Sequence, residues 1–338
     1  MKPRGLVYSS DVQPGYRRQR EHGRFVYSTP TGARVNAART LARIRRLAIP
    51  PAYTDVWICR DARGHLQASG RDARGRKQYR YHPDWRTARD ASKYERLIEF
   101  VQHLPALRAA VQRDIALPGL QRRKVLALIV RLLETTSIRI GNEEYSRQNH
   151  SYGLTTLQMR HLQLDGGRMR FRFRGKNGKF HDVQLHDARL AAIVRRVQDL
   201  PGQDLFQFVD DDGEVQAIGS VEVNAYIREH TAPDFSAKDF RTWTGTLLAA
   251  QELATAGYAD GDAEAKRRIS AAIAAVAARL GNTPAVCRAS YVHPAVLDAY
   301  RQHRLRLPSK AARVAPRRGM SVFERAVLNL LRRAERGR

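Results

Sequence analysis

Residues 168–185 read RMRFRFRGKNGKFHDVQL, and polar and apolar residues alternate on both sides of a glycine-containing turn. A period of two is typical of a strand with one buried face. The turn, Gly175-Lys176-Asn177-Gly178, consists of residue types that suit a tight connection between two strands. The stretch therefore predicts a β-hairpin with a lysine at its tip.

The region around this hairpin has the periodicity of helices. A buried helix face is indicated at i, i+3, i+4, i+7 and i+8 by Val125, Leu128, Ile129, Leu132 and Leu133. The sequence also predicts helices at about 238–256 and 262–280. Gly281 indicates the end of the second of these, and Thr283-Pro284 indicates the start of the next helix. We therefore predict that residues 91–338 form a mostly helical domain, with a linker over 308–318.

The first 90 residues have a different pattern. Short apolar or aromatic runs at 25–27 and 56–59 indicate strands, and Asp61-Ala62-Arg63-Gly64 indicates a turn between strands. One helix is expected from about residue 37 to 48, ahead of two prolines. Residues 1–90 are therefore expected to form a small β-rich domain, and the fold class to be α+β.

The charge of the chain indicates a polyanionic partner. Its 338 residues carry 60 Lys/Arg against 33 Asp/Glu, a formal net charge of +27, and 20 Lys/Arg against 7 Asp/Glu fall within residues 1–90. Anionic lipid is the competing partner, but neither a long apolar run nor a signal pattern is seen. Two cysteines are too few for a disulfide framework or a zinc site, so we expect a reducing, cytoplasmic location.

Two arginines, a lysine and a tyrosine on this basic chain could together bind and cleave a phosphodiester. Arg139 and Arg241 can hold an anionic phosphate, Lys176 can protonate a leaving oxygen, and Tyr291 can attack. Each has an ordinary alternative. Most of the 13 tyrosines are expected to be half-buried amphipathic rings, most arginines to be solvated, and a lysine in a turn to be solvated too.

These segments resemble the type IB DNA topoisomerases, especially the short poxvirus-like and bacterial form. The resemblance rests on residues 138–144, 173–178, 238–243 and 288–294, and it extends over residues 23–292. It implies the catalytic fold that this family shares with tyrosine recombinases, and two lobes that close as a clamp around duplex DNA. It also implies transient cleavage of one strand through a 3′-phosphotyrosine.

The resemblance also implies roles for single residues. Tyr291 is the nucleophile, Arg139 and Arg241 are the two catalytic arginines, and Lys176 is the general acid, although Lys179 is close by in sequence. Asn282 stands where poxviral and eukaryotic members have histidine and bacterial members have asparagine. An asparagine there can donate a hydrogen bond to a phosphate oxygen, but beside a helix end it is ordinarily a cap.

Further residues are candidate contacts with DNA. In the segment from Gly75 to His82, cations alternate with aromatics, and an amide can read adenine while lysine holds phosphate. The candidates from this segment, from the family match and from the second arginine motif are Lys77, Gln78, Tyr79, Tyr81, Tyr145 and Lys238. An ordinary basic strand explains the first four equally well.

No cofactor is expected. The acidic run Asp210-Asp211-Asp212-Gly213-Glu214 lacks the spacing of a calcium loop, and no Walker lysine motif is seen, so neither a metal nor ATP is required. We expect a monomer whose partner is duplex DNA, associated with the nucleoid.

Two other functions remain open at the level of sequence. A tyrosine recombinase shares the arginine, lysine and tyrosine arrangement, but it usually has His-x-x-Arg where this chain has Lys238-Asp239-Phe240-Arg241. A non-catalytic architectural DNA-binding protein would explain the charge and the segment around Gln78, but not the other motifs.

Overall fold

The structure is a computed structural model that describes residues 5–73, 75–308 and 319–337, without the side chains of residues 88–92 and 145. The chain divides into two compact units, Met1–Tyr94 and Glu95–Arg338. The division falls four residues beyond the boundary predicted at residue 90, inside helix α2 (Pro83–Ile115). The predicted linker over 308–318 lies, apart from Pro308, outside the described residues.

The first unit is built on an antiparallel five-stranded sheet. Its strands are β1 (Tyr16–Glu21), β2 (Arg24–Ser28), β3 (Thr54–Ile58), β4 (Leu66–Arg71) and β5 (Lys77–Tyr81), in the order β2-β1-β3-β4-β5. Helix α1 (Ala38–Arg46) packs on one face of the sheet through Ile44, against Val56, Ile58 and Ala68. The predicted β-rich character of this part is confirmed by this sheet.

The second unit is mostly helical. After α2 its helices are α3 (Arg122–Thr136), α4 (Glu143–Asn149), α5 (Ala188–Gln198), α6 (Ser220–Glu229), α7 (Ala237–Ala256), α8 (Asp262–Leu280), α9 (Pro284–Ser290), α10 (Pro294–Arg301) and α11 (Val322–Arg336). Helix α3 lies in the centre of the core, and most of its side chains are buried. The helices predicted at 125–133, 238–256 and 262–280 are confirmed.

Two small antiparallel sheets interrupt the helices. The first has three strands in the order β6-β7-β8, namely β6 (Leu162–Asp165), β7 (Arg168–Arg174) and β8 (Phe180–His186). The second pairs β9 (Gln207–Val209) with β10 (Val215–Ala217). Strands β7 and β8 form the predicted hairpin, with Arg174 opposite Phe180. Met169, Phe171 and Phe173 face the core, as the alternation of β7 requires.

Partly buried ion pairs connect the C-terminal helix α11 to helices α2 and α3. Arg108 of α2 donates to Glu134 of α3 at 2.6 Å and to Glu324 of α11 at 2.5 Å. Each carboxylate is largely shielded from solvent, so the cation between them offsets the cost of burying both. Within the described ranges no single helix is long and apolar enough to span a membrane. Helices α8 and α9, which meet at a sharp bend, are long and apolar enough only when the two are counted together, and this rests on length and composition alone.

Candidate active site

The loop after α3 carries Arg139. Ser137 adopts a left-handed conformation (φ 58°) and ends the helix. A hydrogen bond from the segment around Leu154 then fixes the loop, because the backbone N–H of Leu154 donates to the Arg139 carbonyl at 2.8 Å. Gly153 lies so close that a Cβ there would be 2.6 Å from the same carbonyl oxygen. The backbone at Arg139 therefore has little freedom.

Arg241 lies in the first turns of α7 and is 5% exposed. Its guanidinium donates to the carbonyl of Ser137 and, at 2.7 Å, to the carbonyl of Leu280. These carbonyls lie at the ends of α3 and α8, where helices leave acceptors unpaired. Arg241 thus ties two helix ends together. Its Nε is buried and has no hydrogen-bond partner among the described residues.

Tyr291 follows directly on α9 and its side chain is half-buried. Its backbone N–H donates to the Cys287 carbonyl at 2.9 Å. The Arg241 guanidinium carbon lies 5.2 Å from the centre of the Tyr291 ring. The ring and the buried cation are therefore neighbours, although their positions are 50 residues apart in the sequence.

Helix α7 also fixes the backbone of Tyr291 through Gly245. A Cβ at Gly245 would lie 2.5 Å from the Tyr291 carbonyl oxygen and 3.1 Å from its Cβ. The hydroxyl of Thr246 accepts from the N–H of His293 at 3.1 Å on the same side. The missing side chain at Gly245 is what allows α7 and the Tyr291 segment to approach this closely.

We therefore expect Gly245→Ala to displace the tyrosine. The added methyl group meets backbone atoms that cannot rotate away, and overpacking of this kind usually costs about 1–3 kcal/mol. Thermal unfolding should show that loss, together with slower DNA cleavage. Gly337→Ala is the matched control, because its φ of −93° suits alanine and its nearest neighbour is 3.5 Å away. Equal behaviour of the two variants would contradict this view of the packing.

Asn282 lies between the arginines and the hairpin. Its Oδ1 accepts from the Arg139 guanidinium, and its backbone carbonyl accepts from Lys179 Nζ at 2.9 Å. The cap of α9 is Thr283, whose hydroxyl accepts from Val286 N–H at 3.3 Å. The Asn282 side chain therefore does not serve as that cap. Its Nδ2 is buried without a hydrogen-bond partner among the described residues.

The two lysines of the hairpin turn are placed differently. Lys176 is exposed, and within the described part of the chain it has no hydrogen bond or ion pair. Lys179 reaches the Asn282 carbonyl. The turn between them uses left-handed backbone at Asn177 (φ 63°) and Gly178 (φ 74°). The structure thus brings Arg139, Arg241, Asn282 and Tyr291 together, and Lys179 rather than Lys176 contacts this group.

Positive charge accumulates at the site. Burial, and repulsion from the nearby Arg241, lower the pKa of Arg139 to about 10, which leaves it charged at neutral pH. Burial also lowers the pKa of Arg241, while electrostatic attraction to Tyr291 and a hydrogen bond with it oppose that shift. Two close guanidinium groups with unfilled donor capacity form a site for an anion.

Two nearby side chains were missed by the sequence interpretation. Cys287 is a free, fully buried thiol whose pKa is raised by burial. His181 is half-buried on β8, and its side chain lies on the same face of the strand as those of Val183 and Leu185. That alternation was the available signal for His181. Within the described ranges, no three His, Cys, Asp or Glu side chains converge on a metal-sized space.

The candidate DNA contacts on β5 divide between the two faces of the sheet. Lys77, Tyr79 and Tyr81 are on the exposed face, where the two tyrosine rings stack 6.1 Å apart. Lys77 also pairs with Asp11 at 2.7 Å. Gln78 faces the other way, and its amide donates to Asp72 at 3.0 Å. The Gln78 side chain therefore lies on the opposite face of the strand from the two tyrosine rings.

The two remaining candidates lie in the second unit. Lys238 is exposed in the first turn of α7, three residues before Arg241. Tyr145 belongs to α4, but its side chain lies outside the described part of the structure. The position of Lys238 is compatible with a phosphate contact next to the buried arginine.

Comparison with known proteins identifies the family. The family model described as eukaryotic DNA topoisomerase I, catalytic core, matches residues 82–315. The one described as bacterial DNA topoisomerase IB, N-terminal domain, matches residues 24–72. DNA topoisomerase 1B of Acanthamoeba polyphaga mimivirus is 30% identical over 299 residues, which cover 86% of this chain and 89% of that protein. DNA topoisomerase I of Monkeypox virus is 23% identical over 170 residues, 49% of this chain and 54% of that protein.

The mixed fold and these matches define the class: the chain belongs to the type IB DNA topoisomerases, isomerases that act on duplex DNA. Within the family it is similar to the short, poxvirus-like form. Its N-terminal match is to a bacterial domain, whereas the relatives named above are viral.

Proposed function

We propose that this enzyme relaxes positive and negative supercoils by cutting and resealing one strand of duplex DNA through a 3′-phosphotyrosine. The observation that carries the proposal is the neighbourhood of Tyr291. A buried guanidinium lies 5.2 Å from its ring, and two buried donors nearby, Arg241 Nε and Asn282 Nδ2, have no partner among the described residues.

A buried donor that has no acceptor is unfavourable, by about 1–3 kcal/mol. A phosphate with its non-bridging oxygens at this place would supply the acceptors and meet the positive charge of Arg139. Donors that are already fixed stabilise the charge of a transition state without having to reorganise. This arrangement favours phosphoryl transfer over passive binding of the DNA backbone.

The proposed reaction proceeds in two mirrored steps. The Tyr291 oxygen attacks the phosphorus and gives its proton to solvent water, while the bond from phosphorus to the 5′ oxygen breaks. Lys176, exposed at the hairpin turn, gives a proton to that leaving oxygen. The freed end of the duplex rotates and supercoils are lost. The 5′-hydroxyl then attacks the phosphotyrosine and returns its proton to Lys176. The bond from phosphorus to the Tyr291 oxygen breaks, that oxygen takes up a proton from water, and the strand is resealed.

The phosphotyrosine bond conserves the energy of the broken linkage, so resealing needs no nucleotide. Arg139, Arg241 and Asn282 supply the charge and the hydrogen bonds that a bound cation would otherwise provide. We further infer that the enzyme acts as a monomer in the cytoplasm, associated with the nucleoid, and that the basic N-terminal unit also contacts the duplex.

The experiment that tests the proposal is a plasmid relaxation assay in EDTA without ATP. Incubation with positively or negatively supercoiled plasmid should give a ladder of topoisomers that ends at the relaxed form. The reaction should proceed at a comparable rate when Mg²⁺ is added, apart from the effect of salt on DNA binding.

Three results would contradict the proposal. Activity lost in EDTA and restored by Mg²⁺ would mean that a metal takes part. Products that form only when two copies of a DNA site are present would indicate recombination. A plasmid that changes only after a second topoisomerase is added would indicate an architectural protein.

A further inference from the structure

His181 fills the space between the two segments that carry Lys176 and Asn282. A Cβ at Gly175, the residue before Lys176, would lie 2.5 Å from the His181 Cδ2 atom. A Cβ at Gly281, the residue before Asn282, would lie 2.5 Å from its Cε1 atom. The imidazole thus lies against both backbones, and both approaches depend on glycine.

The ring is also fixed on its flat side. It stacks on Phe173 of β7, with centroids 5.0 Å apart and planes 11° apart. Phe173 is buried in the core of the unit. The position of His181 is therefore set by the core, and His181 in turn sets the spacing of the two segments. Lys179, through its bond to the Asn282 carbonyl, is a second link between them.

We propose that His181 is a positioning residue for the proton-transfer step, because its ring holds the base of the Lys176 turn at a fixed distance from the Gly281–Asn282 turn. The inference rests on the proposed function. It assigns to His181 no contact with DNA and no proton transfer of its own. A shift of about 1 Å in a catalytic group can slow a reaction roughly 100-fold, so such a spacer has a large effect.

The role requires an uncharged ring. Burial, and the positive charges of Arg139, Arg241 and Lys179, lower the pKa of His181 to about 4. In the unfolded chain a histidine titrates near its ordinary value of about 6.5. The unfolded state therefore binds more protons between these two values, and His181 makes stability fall as the pH falls from 6.5 towards 4. In the folded enzyme the ring stays neutral until the pH approaches 4.

The test compares cleavage of two DNA duplexes in single-turnover reactions. The strongest cleavage position is first mapped with the unaltered enzyme, and a second duplex then carries sulfur in place of the bridging 5′ oxygen there. A thiolate leaves without needing a proton, whereas an alkoxide needs one. We expect His181→Ala to cleave the oxygen duplex roughly 10- to 100-fold more slowly and the sulfur duplex almost normally. His186→Ala, the same change at an exposed position of β8, should match the unaltered enzyme on both.

An equal loss on both duplexes, or no loss on either, would overturn the role of His181. Failure of the proposed function would appear separately, as an unaltered enzyme that forms no covalent adduct. If His181→Ala does not fold, His181→Phe keeps the stacked ring without a titrating group. Its melting temperature should fall less than that of the unaltered enzyme between pH 6.5 and 4.5, because only the unaltered chain gains a proton at this position on unfolding, and parallel curves would equally overturn the inference.

Discussion

Replacing Tyr291 with phenylalanine should abolish strand cleavage while leaving DNA affinity nearly unchanged. The substitution removes only the hydroxyl oxygen that the proposed mechanism uses to attack phosphorus. The ring that packs beside the Arg241 guanidinium remains, so the surrounding cations keep their positions. Trapping with SDS should give a covalent protein–DNA adduct with the unaltered enzyme and none with Tyr291→Phe. A filter-binding or gel-shift titration measures the affinity.

Two other tyrosines provide matched controls. Tyr258 is 55% exposed, and the Tyr300 hydroxyl donates to the Gly257 carbonyl at 2.9 Å. Neither lies among the arginines of the site, so Tyr258→Phe and Tyr300→Phe should form adducts normally. Tyr300→Phe should be slightly less stable, because a hydrogen bond is worth about 1 kcal/mol. An adduct that persists in Tyr291→Phe would mean that the nucleophile is another residue.

The parts of the fold that the sequence predicted are those with a local signal. The helices α7 and α8 follow from their periodicity, and Gly281 with Thr283 mark a helix end and a helix start in the residues themselves. The β7–β8 hairpin follows from alternation. Such signals extend over a few residues, so they do not depend on the rest of the chain.

The arrangement of the site could not be predicted in the same way. Whether Asn282 caps a helix or faces the site depends on Arg139, 143 residues earlier, which binds its side-chain oxygen. Similarly, the choice between Lys176 and Lys179 as the neighbour of Asn282 depends on the left-handed turn between them. These contacts join segments distant in sequence, and only the family resemblance related their residues in advance.

Lys176→Ala should slow cleavage of an ordinary duplex by roughly 10²–10⁴-fold, the usual contribution of a general acid. The structure leaves this side chain exposed, so in the proposed mechanism it reaches the leaving oxygen only when DNA is bound. Loss of a phosphate contact would also slow the reaction. The rate on an ordinary duplex therefore does not separate these two roles.

The duplex with bridging sulfur separates them. If Lys176 donates the proton, Lys176→Ala should cleave that duplex almost as fast as the unaltered enzyme. Arg139→Ala and Arg241→Ala should stay slow on it, since stabilising charge on non-bridging oxygens is needed with either leaving group.

Lys179→Met is the control for the competing assignment. It removes the ammonium that binds the Asn282 carbonyl and keeps most of the apolar side chain. If Lys179 only steadies that turn, the variant should lose little on either duplex, because His181 still holds the two segments apart. If instead Lys179→Met is slow on oxygen and normal on sulfur while Lys176→Ala is slow on both, then Lys179 is the proton donor and Lys176 is a phosphate contact. Because Lys179 already lies beside Asn282 in the free enzyme, that outcome would also mean that proton transfer needs no movement of the turn.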